Sequence, residues 1–511
     1  MDTRGRSTLV FVIMLAAALL VRVGMLFNAH GYLVDDAYIF MRYADNFANG
    51  QGLVYNPGEV VLGFTSAFYV VILSIGTSML PHVGIPVIVT VVNLAFFLGF
   101  AWAMLRIFAD VGAWSWMAPC FLFFYFPYID ASINGMETSA MTAFLAFTLL
   151  ALRENKDDLA LVLATVTATI RPEGFLWLFA VCSYCLLVRK KRFRVSFLGA
   201  SLCILLLWAV PLYLYYGTIL PQSMLAKSSL GAAEKWGGHT TSVFEKYALL
   251  ATGLGDRGYA SLPRFAQLVL NLGCGAVLLL LVLEMVRQFR ECSFLLVASL
   301  FFFFCLAFYH IGNPVRIFSW YTIPTSMMCV VSTSSGVRRL FPRVESWTFG
   351  APALIAVFLL SVASVGVGIL GRNAGMASSV AEYQGIVDFI HRRVPNADSV
   401  MISQIGLVGY RSKLRIIDLA GLVSPSVFHA EHGEEARFLS DMIQEEKPSV
   451  LCFQEDILAN RIIRDGAILH RTFRNEAAKE EFLQDYVQPE DARGVYSHVF
   501  VRRNLLVAPD R

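Results

Sequence analysis

The chain has 511 residues, of which 57% are hydrophobic and only 15% are charged. Soluble proteins carry about a quarter charged residues, so this composition excludes an ordinary soluble enzyme and indicates a polytopic membrane protein. The formal net charge of +3 is close to neutral. Because no basic groove interleaved with aromatic residues accompanies it, we expect no nucleic-acid partner.

The hydrophobic segments predict many membrane spans. The first one follows MDTRGR and is long enough to cross a bilayer, so we interpret it as an uncleaved helix rather than a signal peptide. The hydrophobic segments lie near residues 8–27, 62–80, 85–106, 113–128, 138–152, 158–170, 172–188, 195–216, 264–286, 293–309, 318–336 and 347–370. They predict an α-helical polytopic membrane protein with about 11–12 transmembrane helices.

Charged clusters between these segments predict the orientation. The short, mostly basic clusters are RENKDD, RKKRFR, RQFRE and RRLFPR, and the positive-inside rule assigns them to the cytoplasm. Counting crossings from them puts the other loops on the opposite face, namely 129–137, Arg171, 217–262, 310–317 and everything after about 371. An odd number of segments separates the first external loop from residue 129, so one of them is expected to be a half-span or interfacial helix.

Composition divides the chain into two predicted domains. Residues 1–370 form a transmembrane domain, with the first external loop at 31–60. From 371 to 511 the composition becomes that of a soluble protein, where AEYQGIVDFIHRR and EEARFLSDMIQEE alternate with SVMIS, LRIID, PSVLCF and YSHVFVRR. Helix-like and strand-like stretches in alternation predict a small extracytoplasmic α/β domain.

The first external loop, GYLVDDAYIFMRYADNFANGQGLVYNPGE, contains two adjacent acids, Asp35 and Asp36. Phe40, Tyr43 and Phe47 recur at helical spacing, which predicts an amphipathic interfacial helix that ends at NGQG. In one interpretation, Asp35 caps this helix and Asp36 stabilises its first turn. In the other, mutual repulsion raises the pKa of one acid, which then accepts a proton as a general base.

Further polar side chains occur in the first loop and the other predicted external loops. Taken singly, each is explained by interfacial anchoring or by solvation of a loop. Taken together, acids that activate a hydroxyl and cations that bind a phosphate leaving group suit group transfer. Arg171 is the best phosphate candidate, because its planar fork grips two oxygens. The candidate donor-phosphate ligands are Arg171, Lys227, His310 and Arg316, and the candidate substrate ligands are Arg42, Glu59, Glu137, Glu173 and Gln222.

Four motifs resemble those of a known family. DDAYIFMRYADNFANGQGLVYNPGE with GFTS, NGMETS, IRPEG and YYGTILPQSMLAKSSLGAAEKWG resemble, in this order, motifs of GT-C membrane glycosyltransferases. The resemblance is to the terminal β-(1→2)-arabinofuranosyltransferases and their pilin-glycosylating relatives, and it spans about residues 30 to 240. IGLVGYRSKLRIIDLAGLVS resembles a later stretch of these proteins. One departure is Leu62, which stands where relatives commonly carry a second acid.

The resemblance implies a bacterial plasma-membrane enzyme whose active site and C-terminal domain are extracytoplasmic. It implies a polyprenyl-phosphate sugar donor, often decaprenyl-phosphate arabinofuranose, and a glycan, lipid or pilin acceptor. The family's catalytic Asp maps onto Asp35 or Asp36, and Glu137, Arg171, Glu173 and Lys227 stand at matching motif positions. Prenyl phosphate leaves readily once its charge is neutralised, so no cofactor is required and no metal site is predicted. A divalent cation held by the acids stays an alternative.

Other functions fit the sequence less well. Within the enzyme class, the alternative donor is a polyprenyl-phosphate hexose such as mannose. A transporter or lipid-linked sugar flippase would place ionisable residues near the bilayer midplane, whereas most charges here collect toward one face. A membrane-anchored scaffold leaves the external motifs without a purpose. The sequence therefore predicts a glycosyltransferase.

Overall fold

The computed structural model describes residues 3–28, 33–108, 114–229, 263–308, 319–340, 359, 379–427, 438–465, 468–492 and 496–508. The predicted domain boundary at 370 lies outside these described residues. By their contacts, the residues divide into two compact units. Unit one comprises Met1–Tyr32, Val89–Trp208 and Thr240–Ala374, and unit two comprises Leu33–Ile88, Ala209–His239 and Gly375–Arg511.

Unit one is built from apolar helices. They are Thr3–Asn28, Trp114–Phe124, Phe126–Ala131, Thr138–Arg153, Asp157–Ile170, Glu173–Ser183, Arg264–Arg290, Leu296–Ala307 and Ser319–Leu340, with a π-helical turn at Tyr184–Val188. Helices Ile85–Phe108 and Val195–Tyr216 belong to it for most of their length. Within the described residues, three helices are long and apolar enough to cross a membrane: Ile85–Phe108, Val195–Tyr216 and Arg264–Arg290.

Buried polar groups of unit one bond to one another. Arg22 is fully buried, and it donates to the Ser132 hydroxyl and to the carbonyls of Ala18 and Phe123. Further along the chain, Gln288 bonds to the Ser332 hydroxyl. A polar group in apolar surroundings is costly unless it has a partner, so these bonds fix how the helices pack.

Unit two combines helices with a sheet. Its helices are Asp35–Ala48, Ala67–Met79, Gln222–Ser229, 379–393, Ile405–Ser412, Leu439–Glu446 and Glu476–Asp485. Its strands are β1 Ser399–Ile402, β2 Arg415–Asp418, β3 Val450–Phe453, β4 Ile462–Asp465, β5 Ile468–Arg471, β6 Tyr486–Val487 and β7 His498–Arg502.

Five of these strands form one sheet, in the order β2-β1-β3-β7-β6. The central strand β1 runs parallel to both neighbours, and Val400 lies opposite Ile416 on one side and Val450 on the other. Strand β7 is antiparallel to β3 and β6, while β4 and β5 form a separate hairpin. Every residue of β1 and β3 is buried, as expected for short strands covered on both faces.

The predicted fold class is confirmed in its main features. The four predicted strand segments of the C-terminal part correspond to β1, β2, β3 and β7. The predicted interfacial helix is Asp35–Ala48, and NGQG ends it where Gly50 takes a positive φ of 74°. Helix Ala67–Met79 has 13 residues and so rises about 20 Å, less than the hydrocarbon core. That length fits the expected half-span.

Candidate active site

Asp35 and Asp36 are the first residues of helix Asp35–Ala48, but neither caps it. The N-cap residue is Val34, and no side chain caps this end. The Asp35 carboxylate instead accepts hydrogen bonds from the backbone N–H of Gly406 and of Leu407, both at 2.8 Å. The interpretation that Asp35 caps its own helix is therefore wrong, because it caps the N-terminus of helix Ile405–Ser412.

The surroundings of Asp35 disfavour its charge. Burial raises the pKa of Asp35 to about 6, and the adjacent Asp36 carboxylate adds to the rise, while the two N–H donors oppose it. Each residue of an α-helix is turned by about 100° from the previous one, so the side chains of the two acids leave the helix in different directions. The partly exposed Asp36 side chain therefore meets different neighbours from those of Asp35.

A third acid of unit two, Asp418, is close enough to Asp36 to interact with its charge. It ends strand β2, is fully buried and accepts hydrogen bonds from the N–H groups of Ala420, Leu422 and Val423. Burial raises the pKa of Asp418 to about 7, with a smaller contribution from the charge of Asp36. Asp418 was not predicted as a site residue.

Arg42, a predicted substrate ligand, is buried, with 1% of its side chain exposed. Its guanidinium donates to the carbonyls of Tyr55, Gly409 and Leu414 at 2.6–2.7 Å, and to Oδ1 of Asn56 at 3.1 Å. It also lies over the Tyr55 ring, 4.3 Å from the centroid. All these partners are neutral.

Two other predicted substrate ligands have partners in the C-terminal segment. One oxygen of Glu59 pairs with Arg415, and the other accepts from the Asn56 amide at 2.9 Å. The Gln222 side chain donates to the Gly421 carbonyl at 3.3 Å, and its backbone N–H donates to Leu62 at 2.7 Å. The structure thus brings Asp35, Arg42, Glu59 and Gln222 against residues 405–421.

In unit one, Arg171 lies between two glutamates. Its Nη1 is 2.6 Å from Glu137 Oε1, and its Nη2 and Nε are 3.0 and 3.3 Å from the two oxygens of Glu173. The guanidinium also lies over the Tyr321 ring, 4.5 Å from the centroid. None of the three charged side chains is more than 6% exposed. Gly174 lets helix Glu173–Ser183 approach helix Asp157–Ile170 closely, because a Cβ there would lie 2.1 Å from the Thr167 carbonyl oxygen.

This cluster has more negative than positive groups. Two carboxylates share one guanidinium, so when both are ionised the three groups carry one net negative charge. Glu137 Oε2 is buried and has no hydrogen-bond partner. Buried polar atoms usually have one, so this oxygen suits a hydroxyl donor from a ligand.

The remaining predicted residues are not described to the same extent. Lys227 lies on helix Gln222–Ser229, but its side chain is outside the described part, and so are His310 and Arg316. Within the described ranges, no group of three or more His, Cys, Asp or Glu is arranged to hold a metal ion. The divalent-cation alternative stays a prediction.

The contacts also reveal residues that sequence reasoning missed. Besides Asp418, they are Tyr55, Asn56, Gly406 and Gly409. The last two are in IGLVGYRSKLRIIDLAGLVS, where their spacing of three residues on one helix face was a usable signal for close packing.

Comparisons with known proteins agree with this architecture. A family model described as a domain of unknown function, DUF8728, matches residues 375–498. A search of curated proteins found no match. Among solved structures, ArnT from Cupriavidus metallidurans bound to undecaprenyl phosphate is similar, with a TM-score of 0.55 and 13% identity over 98% of this chain and 99% of that chain. The apo structure of the same protein has a TM-score of 0.52 at the same identity and coverage. The chain therefore shares its fold with that protein.

Proposed function

We propose that this protein is a membrane glycosyltransferase that moves a sugar from a polyprenyl-phosphate donor to an extracytoplasmic acceptor. The observation that carries the proposal is the match of fold over nearly the whole chain to a protein crystallised with undecaprenyl phosphate. The acidic pair at the start of helix Asp35–Ala48 supports it, since that pair supplies a base for an acceptor hydroxyl.

The proposed reaction is a single group transfer. A carboxylate of the Asp35–Asp36 pair takes the proton of the acceptor hydroxyl while its oxygen attacks the anomeric carbon. The bond from that carbon to the phosphate oxygen breaks, and the polyprenyl phosphate leaves with the electron pair. Cations stabilise the charge that develops on this leaving group, and the candidates are Arg171, Lys227, His310 and Arg316.

The arrangement around Arg171 refines these roles. A phosphate that approaches Arg171 meets two carboxylates already bound to the guanidinium, and they repel it. The unpartnered Glu137 Oε2 suits a sugar hydroxyl instead. We therefore assign Glu137 and Glu173 to the sugar and Arg171 to holding them in place, so that most of the phosphate charge is left to Lys227, His310 and Arg316.

Arabinofuranose is the proposed sugar, because the external motifs resemble those of arabinofuranosyltransferases. A hexose such as mannose is the alternative donor sugar. The proposed acceptor is a cell-envelope glycan, a lipid or a pilin, and the proposed location is the bacterial plasma membrane.

Purified protein in detergent, incubated with radiolabelled decaprenyl-phosphate arabinofuranose or with a polyprenyl-phosphate mannose, tests the proposal. Transfer of label to an envelope-glycan acceptor supports it, and the preferred donor identifies the sugar. Movement of the labelled lipid across a vesicle without transfer would instead show a carrier.

The Asp36→Asn variant tests the base. We expect it to fold and to lose transfer, because the amide cannot take the proton. Asp45→Asn is the matched control, since Asp45 lies on the same helix and forms a surface pair with Lys413. Full activity of Asp36→Asn would remove Asp36 from the reaction.

A further inference from the structure

The C-terminal sheet carries a site of the kind that binds ligands in other α/β proteins. Parallel strands β2, β1 and β3 meet at their carboxyl ends, and the chain crosses from one side of β1 to the other between β2 and β3. In such sheets, ligands bind beyond this edge, at the point where the strand order reverses. The helix that follows the first strand commonly binds an anion with its N-terminal N–H groups.

Here a side chain of the same protein occupies that anion position. Helix Ile405–Ser412 follows β1, and its N–H groups at Gly406 and Leu407 bind the two oxygens of Asp35. The Tyr55 hydroxyl donates to the Ile405 carbonyl at 2.7 Å. The edge of the sheet therefore receives the first external loop.

The contact is close enough to require glycine in the helix. A Cβ at Gly406 would lie 1.8 Å from the backbone oxygen of Asp35, and backbone cannot move aside as a flexible side chain can. A Cβ at Gly409 would lie 2.1 Å from the Tyr55 hydroxyl oxygen and 2.6 Å from Arg42 Nη1. Because Gly406 and Gly409 carry no side chain, the loop packs directly against the helix backbone, and we call this surface the glycine face.

The same loop also completes the sheet edge. Strand β2 is the last strand on its side, which leaves backbone groups without a neighbouring strand. The Asn56 amide donates to the Ile416 carbonyl at 2.8 Å, and its oxygen accepts from the Ile416 N–H at 3.0 Å. One side chain thus replaces the missing strand at this residue.

We propose that the C-terminal domain is a clamp for the first external loop, and that Asp35 is its positioning residue while Asp36 is the general base. This inference rests on the proposed function. Both oxygens of Asp35 already accept backbone hydrogen bonds, so their task is to fix the start of helix Asp35–Ala48. The side chain of Asp36 leaves that helix in a direction rotated by about 100° from that of Asp35, and there it meets the acceptor.

Three variants separate the two roles. Asp36→Asn removes the base, Asp35→Asn weakens the clamp, and Gly406→Ala forces the loop away without altering either acid. We expect kcat to fall by about 10- to 100-fold in the two clamp variants, since small misplacements of reacting groups have effects of that size. Asp36→Asn is expected to lose at least about 100-fold more. Gly275→Ala is the control, because a Cβ there meets nothing within 4 Å.

A double variant shows whether Asp35 and Gly406 act through one contact. If they do, the double variant Asp35→Asn, Gly406→Ala is expected to be almost as active as the less active of the two single variants, because the effects of coupled sites do not add. Equal inactivity of Asp35→Asn and Asp36→Asn, with Gly406→Ala as active as Gly275→Ala, would overturn the assignment.

Hydrogen exchange tests the clamp without a measurement of enzyme activity. In Asp35→Asn, amide exchange is expected to accelerate in peptides that cover 33–48 and 405–412, and to stay unchanged in helix Thr138–Arg153. Unchanged exchange at 405–412 would overturn the clamp, even in an active enzyme. If the wild-type protein transfers no sugar but shows this exchange pattern, the proposed function fails and the clamp stands.

Discussion

Two buried arginines, one in each unit, are surrounded in opposite ways. Arg42 of the first loop donates only to carbonyls and to an amide oxygen, all of them neutral. Arg171 of unit one bonds to two carboxylates. Neutral acceptors satisfy the hydrogen-bond donors of a buried guanidinium, and no second charge has to be buried with it. Such an arrangement suits a structural contact. Two acids on one guanidinium leave the cluster with surplus negative charge and a Glu137 oxygen with no hydrogen-bond partner, features that are commoner in functional sites than in structural contacts.

The largest effect is expected from Arg171→Met. Removing the cation takes away the guanidinium to which both Glu137 and Glu173 bind, and breaking a buried ion pair in this way costs about 3–5 kcal/mol. The thermal unfolding midpoint in detergent should therefore fall sharply. Arg171→Lys keeps the charge but not the fork, and should retain more stability than Arg171→Met while transfer is lost. An unchanged midpoint in Arg171→Met would show that the glutamates do not depend on Arg171.

Arg42→Met sharpens the comparison with a smaller effect. It leaves the Gly409 and Leu414 carbonyls without this donor but no charge uncompensated, and the Tyr55 carbonyl keeps its bond from Asn46. An unsatisfied buried polar group costs about 1–3 kcal/mol, so the unfolding midpoint should fall less than in Arg171→Met. A larger fall than in Arg171→Met would contradict the distinction between neutral and charged surroundings.

The dependence of stability on pH probes the acids of unit two. The pKa of Asp418 is raised from 3.8 to about 7, so the folded state binds this proton more tightly than the unfolded state does. The resulting stability is fully present below about pH 4 and is lost as the pH rises to about 7. Wild type should unfold at lower temperature at pH 8 than at pH 5.5, and Asp418→Asn should weaken this dependence. If the unfolding temperature changed equally between pH 5.5 and pH 8 in wild type and in Asp418→Asn, the raised pKa of Asp418 would be refuted.

The smallest effect is expected at the surface of the clamp. Lys413 pairs with Asp45 and both are partly exposed, so Lys413→Ala should cost no more than about 1 kcal/mol. The small difference from wild type should disappear in high salt, because exposed charges are screened. A large, salt-independent loss of unfolding temperature would mean that this pair belongs to the buried contact.

Local patterns predicted local structure well. The helical spacing of apolar residues and the NGQG turn predicted helix Asp35–Ala48 and its end. β-branched runs predicted four strands of the C-terminal sheet, although hairpin β4–β5 and helix Ile405–Ser412 were not predicted.

Contacts between distant segments could not be predicted from local patterns. Arg42 was predicted as a substrate ligand, but it binds the carbonyls of Gly409 and Leu414, which lie more than 360 positions away. Phe47 was expected on the apolar face, yet it is 46% exposed. The contact between Arg171 and Glu173 could be predicted from IRPEG, because both residues belong to this motif. Glu137 belongs to another loop, 34 positions earlier, so its contact with Arg171 could not. Whether these residues bind donor or acceptor stays a prediction.

The bond between Asp35 and Gly406 spans 371 positions of the chain, and this separation has a consequence for biosynthesis. A ribosome produces Asp35 371 residues before Gly406, which belongs to the glycine face that receives it. Until then the Asp35 carboxylate lacks the two backbone N–H donors that bind it in the folded protein. Premature termination before residue 405 would leave a protein in which Asp35 never gains these two bonds.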